Sequence, residues 1–419
     1  MKKIIIEGGR EISGTIKISG AKNSVVALIP ASILTNGKCT IKNVPDISDV
    51  KTLLEIMKDL GSEITLEGDT LIIDNKNVKN KLIDEKYASK LRASYYFMGS
   101  LIGKFHHASI AYPGGCVIGS RPINYHLEAF RKMGIEINEE FSKYEMNVDE
   151  LNGINIYLNF PSVGATINIM LAAVLAKGQT IIENAANEPE IANIASFLNS
   201  MGARIFGAGT SRIVIEGVNS LGDGFVETIP DRIEAGTYLI IGSLLGNNLK
   251  VENVIEAHLE SVLSKLKDAG VKYTKEGNSI VISRPKELKP INVKTTVYPG
   301  FPTDLGQPMS TFLTQCEGEC LFEETIYENR LRHVPHLNSM GANIKAFDKK
   351  AIITGSTPLH GRKVKATDLR AGASMLVAGL IADGTTEILN IEHLLRGYER
   401  IVDKLSQVGV SIKLIDDAE

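Results

Sequence analysis

The chain has 419 residues, too many for one ordinary hydrophobic core, so two or three domains are expected. Its 43% hydrophobic and 23% charged residues are typical of a soluble globular protein and exclude a disordered, collagen-like or coiled-coil chain. A formal net charge of −3 gives no reason to expect nucleic acid or an anionic membrane as the main partner.

The first residues, MKKIIIEGGREIS, contain only three isoleucines before Glu7, far short of the apolar region of a signal peptide. No run of the sequence approaches the length of a membrane span. The four cysteines, Cys39, Cys116, Cys316 and Cys320, do not make a disulfide framework in so long a chain, which favours a cytoplasmic location. Cys316 and Cys320 lack a second pair with metal-binding spacing, so both are interpreted as structural.

Six glycines mark an internal repeat. They lie at positions 61, 134, 202, 270, 341 and 409, separated by 73, 68, 68, 71 and 68 residues. Each follows a helical pattern with apolar residues one, four and seven positions earlier, and each is a natural C-terminal cap. Three residues after each glycine comes an apolar residue that is predicted to open a strand.

A second set of glycines precedes these helices, at positions 37, 103, 178, 246, 318 and 384. Each is predicted to end another helix and to precede a strand, as in AAVLAKG followed by QTIIENA. Each unit then contains helix, strand, helix, strand and strand. Six such units predict an α/β protein, most simply two domains of three units each.

The second unit differs from the others in length. Its two glycines are 31 residues apart (103 to 134), whereas the other five spacings are 23 to 25. The surplus coincides with PGGCVIGSRP, which contains Cys116 and Arg121. A long loop on a repeated scaffold reflects either tolerated drift or function, and a thiol beside an arginine favours a functional lid.

Cations lie at four of the six predicted starts of the first helix of a unit: Lys22, Arg92, Arg232 and Arg370. The helix dipole disfavours a cation there. Asp231 and Asp368 offer partners for two of them, but Lys22 and Arg92 have no acidic neighbour within three residues. Bound phosphates or carboxylates would explain these cations, and Arg121, Arg330 and Arg396 could join them. A solvated basic face is the alternative.

The sequence has no phosphate-binding GxxxxGK[ST] loop, no dinucleotide-binding glycine fingerprint after a strand and no HExxH motif. His333 and His336 share one predicted helix but lack an obvious third ligand, so they are interpreted as core or surface residues. Neither a metal nor an organic cofactor is expected.

The motifs together resemble those of the enolpyruvyl transferases. They are KN at 22–23, RAS at 92–94, PGGCVIGSRP at 113–122, SVGAT at 162–166, PDRIE at 230–234, FPTD at 301–304, ENR at 328–330, TDLR at 367–370 and RGYE at 396–399. The resemblance runs from the first strand to the last helix. It is closer to the branch that uses UDP-N-acetylglucosamine than to the branch that uses shikimate 3-phosphate.

This resemblance implies two inverse α/β domains of three units each, with the active site in the cleft between them. One domain spans 22–229 and contains the catalytic loop 111–122. The other combines 1–21 with 230–419, so that the chain crosses twice between them.

The implied reaction moves the enolpyruvyl group of phosphoenolpyruvate to the 3′-hydroxyl of UDP-N-acetylglucosamine and releases phosphate. This is the first committed step of peptidoglycan precursor synthesis. The implied catalytic residues are Cys116, Asp304, Lys22 and Arg396. Cys116 would be the proton donor at C3, able also to add covalently and open to alkylation by fosfomycin. Asp304 would act as base or orient the sugar hydroxyl.

The residues implied to bind the substrates come from both domains. They are Lys22, Asn23, Arg92, Arg121, Pro122, Ile123, Asn124, Tyr125, Ser162, Val163, Gly164, Asp304, Ile326, Arg330, Arg370 and Arg396. Some members have a lysine where this chain has Phe160, which removes one expected contact to the nucleotide diphosphate. The resemblance implies no obligate protein partner.

Two alternatives stay open at this point. The acceptor could be another alcohol, such as shikimate 3-phosphate, on the same scaffold. The chain could also be a catalytically silent paralogue that binds the UDP-sugar, although a mere binder would have no need of Cys116 or Asp304.

Overall fold

A computed structural model describes residues 2–114 and 123–416. The described residues form two compact bodies. The central body consists of 20–114 and 123–229, and the N/C body combines 2–19 with 230–416. Each has its own hydrophobic core, and the two bodies are described separately below.

The chain opens with two strands of the N/C body, β1 (Lys2–Glu7) and β2 (Ile12–Lys17). The central body follows with three units. The first unit contains α1 (Lys22–Ala31), β3 (Lys38–Lys42), α2 (Ser48–Asp59), β4 (Glu63–Glu67) and β5 (Thr70–Asp74). A short helix α3 (Glu85–Ala88) precedes the second unit, which contains α4 (Tyr96–Phe105), β6 (His107–Ala111), α5 (Asn124–Lys132), β7 (Glu136–Glu140) and β8 (Lys143–Asn147). Strand β9 (Asn155–Tyr157) leads to the third unit, α6 (Val163–Ala173), β10 (Gln179–Glu183), α7 (Pro189–Ser200), β11 (Arg204–Phe206) and β12 (Arg212–Glu216), and β13 (Gly224–Glu227) follows it.

The N/C body continues with three more units of the same kind. The fourth contains α8 (Arg232–Leu245), β14 (Gly246–Glu252), α9 (Glu260–Asp268), β15 (Tyr273–Glu276) and β16 (Ser279–Ile282). After β17 (Val293–Lys294), the fifth contains α10 (Gly306–Leu313), β18 (Gly318–Glu323), α11 (Val334–Ser339), β19 (Asn343–Phe347) and β20 (Lys350–Gly355). After β21 (Lys363–Lys365), the sixth contains α12 (Leu369–Ile381), β22 (Thr385–Leu389), α13 (Glu392–Leu395), α14 (Ile401–Ser406) and β23 (Ser411–Asp416). The prediction of an α/β protein built from six repeated units is confirmed.

Each unit forms its own sheet, and a strand from the preceding unit joins that sheet in parallel. In the central body β9 pairs with β10 and β13 pairs with β3, while the second unit has only a parallel bridge between Ile83 and Ile110. In the N/C body the corresponding pairs are β17 with β18, β21 with β22 and β2 with β14. These pairings close the three units of each body into a ring. In the sixth unit the middle antiparallel strand is β1, which pairs with both β22 and β23.

The first set of glycines ends the second helices, as predicted. All six lie in the left-handed region, with φ between 85° at Gly134 and 113° at Gly341. Glycine has no Cβ and adopts this conformation without the strain of other residues. The apolar stripes that precede these glycines are buried, except that Val402 is half-buried.

The second set of glycines was predicted less well. Gly103 lies inside α4, where a Cβ would come within 2.7 Å of the Leu171 carbonyl oxygen, and it does not end the helix. The helix ends at His106, whose φ is 56°. Part of the long glycine spacing in the second unit therefore belongs to α4 and not to a loop.

The second unit is also not alone in its long connection between strand and helix. The segment 112–123 joins β6 to α5, and 324–333 is of similar length in the fifth unit. In the sixth unit 390–400, which includes the short helix α13, separates β22 from α14. The spacing of glycines concealed these two segments because the helices that follow them, α11 and α14, are short.

Within 2–114 and 123–416, no helix is long and apolar enough to cross a membrane. In the same ranges, no group of three or more His, Cys, Asp or Glu side chains could hold a metal ion. Cys39, Cys316 and Cys320 are buried free thiols, and burial raises the pKa of Cys39 to about 12. His333 is a core residue whose Nε2 lies 2.6 Å from the Ser310 hydroxyl.

Candidate active site

Lys22 is the first residue of α1, and its charge is balanced within the central body. Its Nζ lies 3.3 Å from Oδ2 of Asp49, which belongs to the first turn of α2 and is almost fully buried. Asn23 follows and is half-buried. Lys22 has no acidic neighbour within three residues of the sequence, and its carboxylate partner comes from the next helix, α2. An anion is not needed to explain this cation.

Arg92 begins the short 3₁₀ turn Arg92–Tyr95 that leads into α4. The ring of Tyr95 packs edge-on against the ring of His126, with centroids 4.6 Å apart. Burial lowers the pKa of His126 to about 3, and the positive charge of Arg92 acts in the same direction. The ring of His126 is therefore neutral.

The buried amide of Asn168 fixes the tautomer of His126. Asn168 Oδ1 accepts from the backbone N–H of Gly99 at 3.1 Å, so its Nδ2 is the group that faces His126 Nδ1, at 2.7 Å. Nδ1 accepts this hydrogen bond, and Nε2 carries the proton. A Cβ built on Gly164 would lie 2.7 Å from that Nε2, so the first turn of α6 can pack on the ring only with glycine at this position.

Two predicted binding segments of the central body meet at aromatic side chains. Tyr125, in the first turn of α5, stacks on Phe160, with ring centroids 6.1 Å apart and an interplanar angle of 22°. Ser162 caps α6, and its hydroxyl accepts from the backbone N–H of Ala165 at 3.2 Å. The structure therefore brings the segment 123–126 against 160–164.

Cys116, Arg121 and Pro122 lie outside the described residues. The described start of their loop is tied to the central body. The backbone N–H of Tyr112 donates to the Ser142 carbonyl at 2.9 Å, and that of Gly114 donates to the Ala88 carbonyl at 2.8 Å. On the other side of the loop, Ile123 is buried at the start of α5.

Asp304 lies at the centre of a charged cluster in the N/C body. It belongs to the 3₁₀ turn Thr303–Leu305, and each of its oxygens accepts from a different arginine. Arg330 Nη2 lies 3.1 Å from Oδ1, and Arg370 Nη2 lies 2.9 Å from Oδ2. Both arginines are buried, whereas 22% of the Asp304 side chain is exposed. Burial is the largest single influence on the pKa of Arg370 and acts to lower it, but Asp304, Tyr398 and Asp231 together outweigh burial and the net shift is upward.

Asp231 and Asp368 cap the helices α8 and α12. Each accepts from two backbone N–H groups of the first turn, at 2.8 and 3.0 Å for Asp231 and at 2.9 Å twice for Asp368. Asp368 was expected to balance the charge of Arg370, but the Arg370 guanidinium pairs with Asp304 instead. Arg232 lies over the ring of Tyr298 at 5.3 Å.

Arg396 follows α13 and is half-buried. Its loop is connected to the Asp304 cluster through Tyr398, whose ring lies 5.9 Å from the Arg370 guanidinium and whose hydroxyl is 2.8 Å from that of Thr237. The backbone N–H of Ile326 donates to Glu324 Oε1 at 2.7 Å. The N/C body therefore brings Asp304, Arg330 and Arg370 together directly, and it brings Ile326 and Arg396 to them through intermediate residues.

Four structural partners of the site escaped the sequence reasoning: Asp49, His126, Glu324 and Tyr398. Tyr398 lies inside the RGYE motif and His126 follows the predicted segment 121–125 directly, so their neighbours were a usable signal. Asp49 gave none, because its contact joins distant segments of the chain. Glu324 was missed although it lies two residues before the predicted Ile326.

Solved structures with the same fold are enolpyruvyl transferases. The structure of the enolpyruvyl transferase NikO from Streptomyces tendae has a TM-score of 0.90 with 24% identity and covers 99% of both chains. EPSP synthase from Acinetobacter baumannii has a TM-score of 0.76 with 17% identity, over 99% of this chain and all of that one. At these identities the likeness defines the fold alone.

The sequence adds the family. Residues 6–405 match the family EPSP synthase (3-phosphoshikimate 1-carboxyvinyltransferase). A Bacillus cereus protein named UDP-N-acetylglucosamine 1-carboxyvinyltransferase 2 is 50% identical over 98% of this chain and 96% of its own length. Proteins of that name from Streptococcus thermophilus and Bacillus subtilis are 49% identical, over 100% and 98% of this chain and 100% and 96% of their own. The chain is a transferase, and it belongs to the EPSP synthase family of enolpyruvyl transferases.

Proposed function

We propose that this protein transfers the enolpyruvyl group of phosphoenolpyruvate to the 3′-hydroxyl of UDP-N-acetylglucosamine with release of phosphate. The observation that carries the proposal is the 50% identity, over 98% of the chain, to a relative that bears this activity in its name. The reaction is the first committed step of peptidoglycan precursor synthesis.

The chemistry sets the requirements for the site. In the addition step, C3 of phosphoenolpyruvate gains a proton, and the sugar oxygen loses its proton as it forms a bond to C2. In the elimination step, C3 loses a proton, and the bond from C2 to the phosphate oxygen breaks. One group must therefore give and later take a proton at C3, and cations must stabilise the departing phosphate.

We assign the proton transfer at C3 to Cys116, with a covalent adduct to phosphoenolpyruvate as a further option. Lys22, Arg121 and Arg396 are proposed to hold the phosphate and carboxylate of phosphoenolpyruvate. In this role the Lys22 ammonium would act from its ion pair with Asp49, which fixes its position at the start of α1.

Asp304 is proposed to orient the sugar hydroxyl. Each of its oxygens already accepts from an arginine, at 3.1 and 2.9 Å, and this fixes the carboxylate before any ligand arrives. A preorganised group of this kind reduces the reorganisation that the reaction requires. A role as base stays open, because a carboxylate oxygen can accept more than one hydrogen bond.

The proposed contacts to the UDP-sugar come from Asn23, Arg92, 121–125, 162–164 and Ile326. The stacking of Tyr125 on Phe160 and the packing of Gly164 on His126 support a single binding surface in the central body. Phe160 offers an apolar face where a lysine would offer a charge. The enzyme is proposed to work in the cytoplasm on these two small molecules, since three of its four cysteines are buried free thiols.

The test is release of phosphate from phosphoenolpyruvate, measured with UDP-N-acetylglucosamine and, in parallel, with shikimate 3-phosphate. Wild-type protein is expected to turn over with the UDP-sugar only, and Cys116→Ala to lose turnover while still binding the UDP-sugar in calorimetry. Turnover with shikimate 3-phosphate alone would assign the other acceptor. Binding of the UDP-sugar without turnover would identify a silent paralogue. Full activity of Cys116→Ala would refute the role of the thiol.

A further inference from the structure

One buried carboxylate holds the loop that follows β18. The Glu324 side chain is 1% exposed and accepts three hydrogen bonds. Its Oε1 accepts from the backbone N–H of Ile326 at 2.7 Å and of Tyr327 at 3.1 Å. Its Oε2 accepts from the Thr303 hydroxyl at 2.9 Å. Glu324 therefore connects the loop after β18 to the turn that contains Thr303, 21 positions earlier in the sequence.

These contacts belong to a closed circle of five residues. Thr303 directly precedes Asp304 in the same 3₁₀ turn. Asp304 accepts from Arg330 at 3.1 Å, and the Arg330 guanidinium lies over the ring of Tyr327 at 4.9 Å. The backbone N–H of Tyr327 donates to the Glu324 carboxylate and closes the circle. Since Ile326 also donates to Glu324, the circle connects the Asp304 carboxylate to the backbone of Ile326.

The main chain around Glu324 is itself fixed, so the carboxylate is a rigid support. The backbone N–H of Glu324 donates to the Lys349 carbonyl at 2.8 Å. The next residue, Thr325, donates through its hydroxyl to the Thr295 carbonyl at 2.6 Å, and its N–H donates to the Thr295 hydroxyl at 3.0 Å. The position of Glu324 is therefore set by the turn between β19 and β20 and by the segment after β17.

We propose that Glu324 is a positioning residue for the acceptor substrate. It fixes the distance between the Asp304 carboxylate and the backbone of Ile326, the two points of this body that are assigned to the UDP-sugar; the inference rests on the function proposed above. A ligand that contacts both points binds well only when their relative position is correct. Small displacements of binding groups lower the rate of the reaction strongly. Removal of the carboxylate also leaves two backbone N–H groups without their acceptor.

The test compares four variants in the phosphate-release assay. Glu324→Ala removes both acceptor oxygens and with them all three hydrogen bonds, and Thr303→Val removes only the hydroxyl that donates to Oε2. In Glu324→Gln the amide oxygen still accepts from both N–H groups, while the Thr303 hydroxyl turns to accept from the amide nitrogen. Thr303→Ser keeps the hydroxyl. Glu323→Ala is the matched control, since Glu323 is the adjacent residue and its side chain forms ion pairs with the exposed Lys294 and Lys350.

Glu324→Ala is expected to raise KM for UDP-N-acetylglucosamine about tenfold, equivalent to about 1.4 kcal/mol of binding, while KM for phosphoenolpyruvate changes less than about twofold. Thr303→Val should give a smaller rise of the same kind. Glu324→Gln and Thr303→Ser should recover most of the wild-type KM, and Glu323→Ala should not differ from wild type. Thermal unfolding is measured for every variant. It distinguishes a rise in KM that comes from unfolding from one that comes from displaced binding groups.

Equal effects on both KM values, or a Glu324→Gln variant as impaired as Glu324→Ala, would overturn the assignment. If Glu324→Ala does not fold, Thr303→Val against Thr303→Ser decides the same question. If the wild type is active but the variants change both KM values equally, the role of Glu324 is refuted and the proposed function is not. A wild type that turns over only another acceptor refutes the proposed function, and the same split is then measured for that acceptor.

Discussion

Arg370 Nη2 lies 2.9 Å from Oδ2 of Asp304, although the two residues are 66 positions apart and Asp368 is much nearer in sequence. Asp368 instead caps α12 through the backbone N–H groups of Arg370 and Ala371. One aspartate fixes the start of the helix, and the other receives the charge of the side chain that projects from it. Asp368 therefore fixes the backbone of Arg370, and Asp304 neutralises the charge of its guanidinium group.

Asp304→Asn should destabilise the protein as well as impair turnover. The substitution leaves the buried guanidinium groups of Arg330 and Arg370 without their countercharge, and loss of one partner from a buried pair costs ~3 kcal/mol or more. The free energy of unfolding in urea measures the loss. Asp403→Asn is the control, because Asp403 pairs with Arg400 at 3.0 Å on the exposed surface and such pairs contribute less than ~1 kcal/mol. Equal losses in the two variants would contradict the buried cluster.

Glu234 should make stability depend on pH in an unusual direction. Burial raises its pKa to about 7 from an ordinary 4.5, although Lys404 acts to lower it from 2.5 Å away. The folded state therefore binds this proton more tightly than the unfolded state. The protonated Glu234 therefore contributes to the free energy of unfolding below pH 4.5, and this stabilisation is lost as the pH rises through about 7.

Glu234→Gln should remove this component, so that the difference in unfolding free energy between variant and wild type changes by up to ~3 kcal/mol across that range. Urea unfolding at several pH values measures it. Glu260→Gln, in the first turn of α9 and exposed, serves as the control and should leave the profile of the wild type unchanged. A difference between Glu234→Gln and wild type that does not vary with pH would show that Glu234 does not titrate in this range.

Gly202→Ala should cost ~1 kcal/mol for reasons of backbone conformation alone. Gly202 has a φ of 104°, and a Cβ there would meet nothing within 4 Å, so steric contact makes no contribution. Gly222→Ala is the matched control, since its backbone is not left-handed and a Cβ would lie 3.9 Å from the Met201 carbonyl oxygen, in ordinary contact. Thermal unfolding compares the two. If Gly202→Ala is as stable as wild type, the left-handed cap contributes little.

Phe160→Lys should change how salt affects nucleotide binding, on the basis of the proposed function. A cation beside Tyr125 and Ser162 would add an electrostatic attraction to the diphosphate, which salt screens, and would remove the stacking on Tyr125. The Kd for UDP is expected to rise more steeply with salt in the variant than in wild type when both are measured by calorimetry. Phe206→Lys places the same charge on β11, at the opposite edge of the sheet from β9, and should leave the salt dependence unchanged. Identical slopes for Phe160→Lys and Phe206→Lys would place the diphosphate elsewhere.

The repeated units could be predicted because their signals are local. A capping glycine and the apolar stripe before it lie within eight residues. The glycine proved right in all six units, and the stripe is buried in all of them except at the half-buried Val402. Gly103 misled the prediction because its lack of a Cβ serves a close approach to Leu171 and not a helix end. Residue type alone does not distinguish a glycine that ends a helix from one that allows a close approach.

The site was predictable in its residue types but not in its pairings. Asp304, Arg330 and Arg370 were all named from the sequence, yet their ion pairs join segments that only the fold brings together. The same holds for Lys22 with Asp49, because no carboxylate lies within three residues of Lys22 in the sequence. Spacing along the chain reports on neighbours in a helix or strand, and buried charges are paired through tertiary packing.

The ring of three units in each body has a consequence for the order of assembly on the ribosome. The central body contains all of its own strands, and its ring closes once β13 has paired with β3. Strand β1 must wait much longer, because its partners β22 and β23 are translated only after the whole central body. The N/C body therefore begins first and finishes last, and during synthesis the hydrophobic residues of β1, such as Ile4 and Ile6, stay without their native cover.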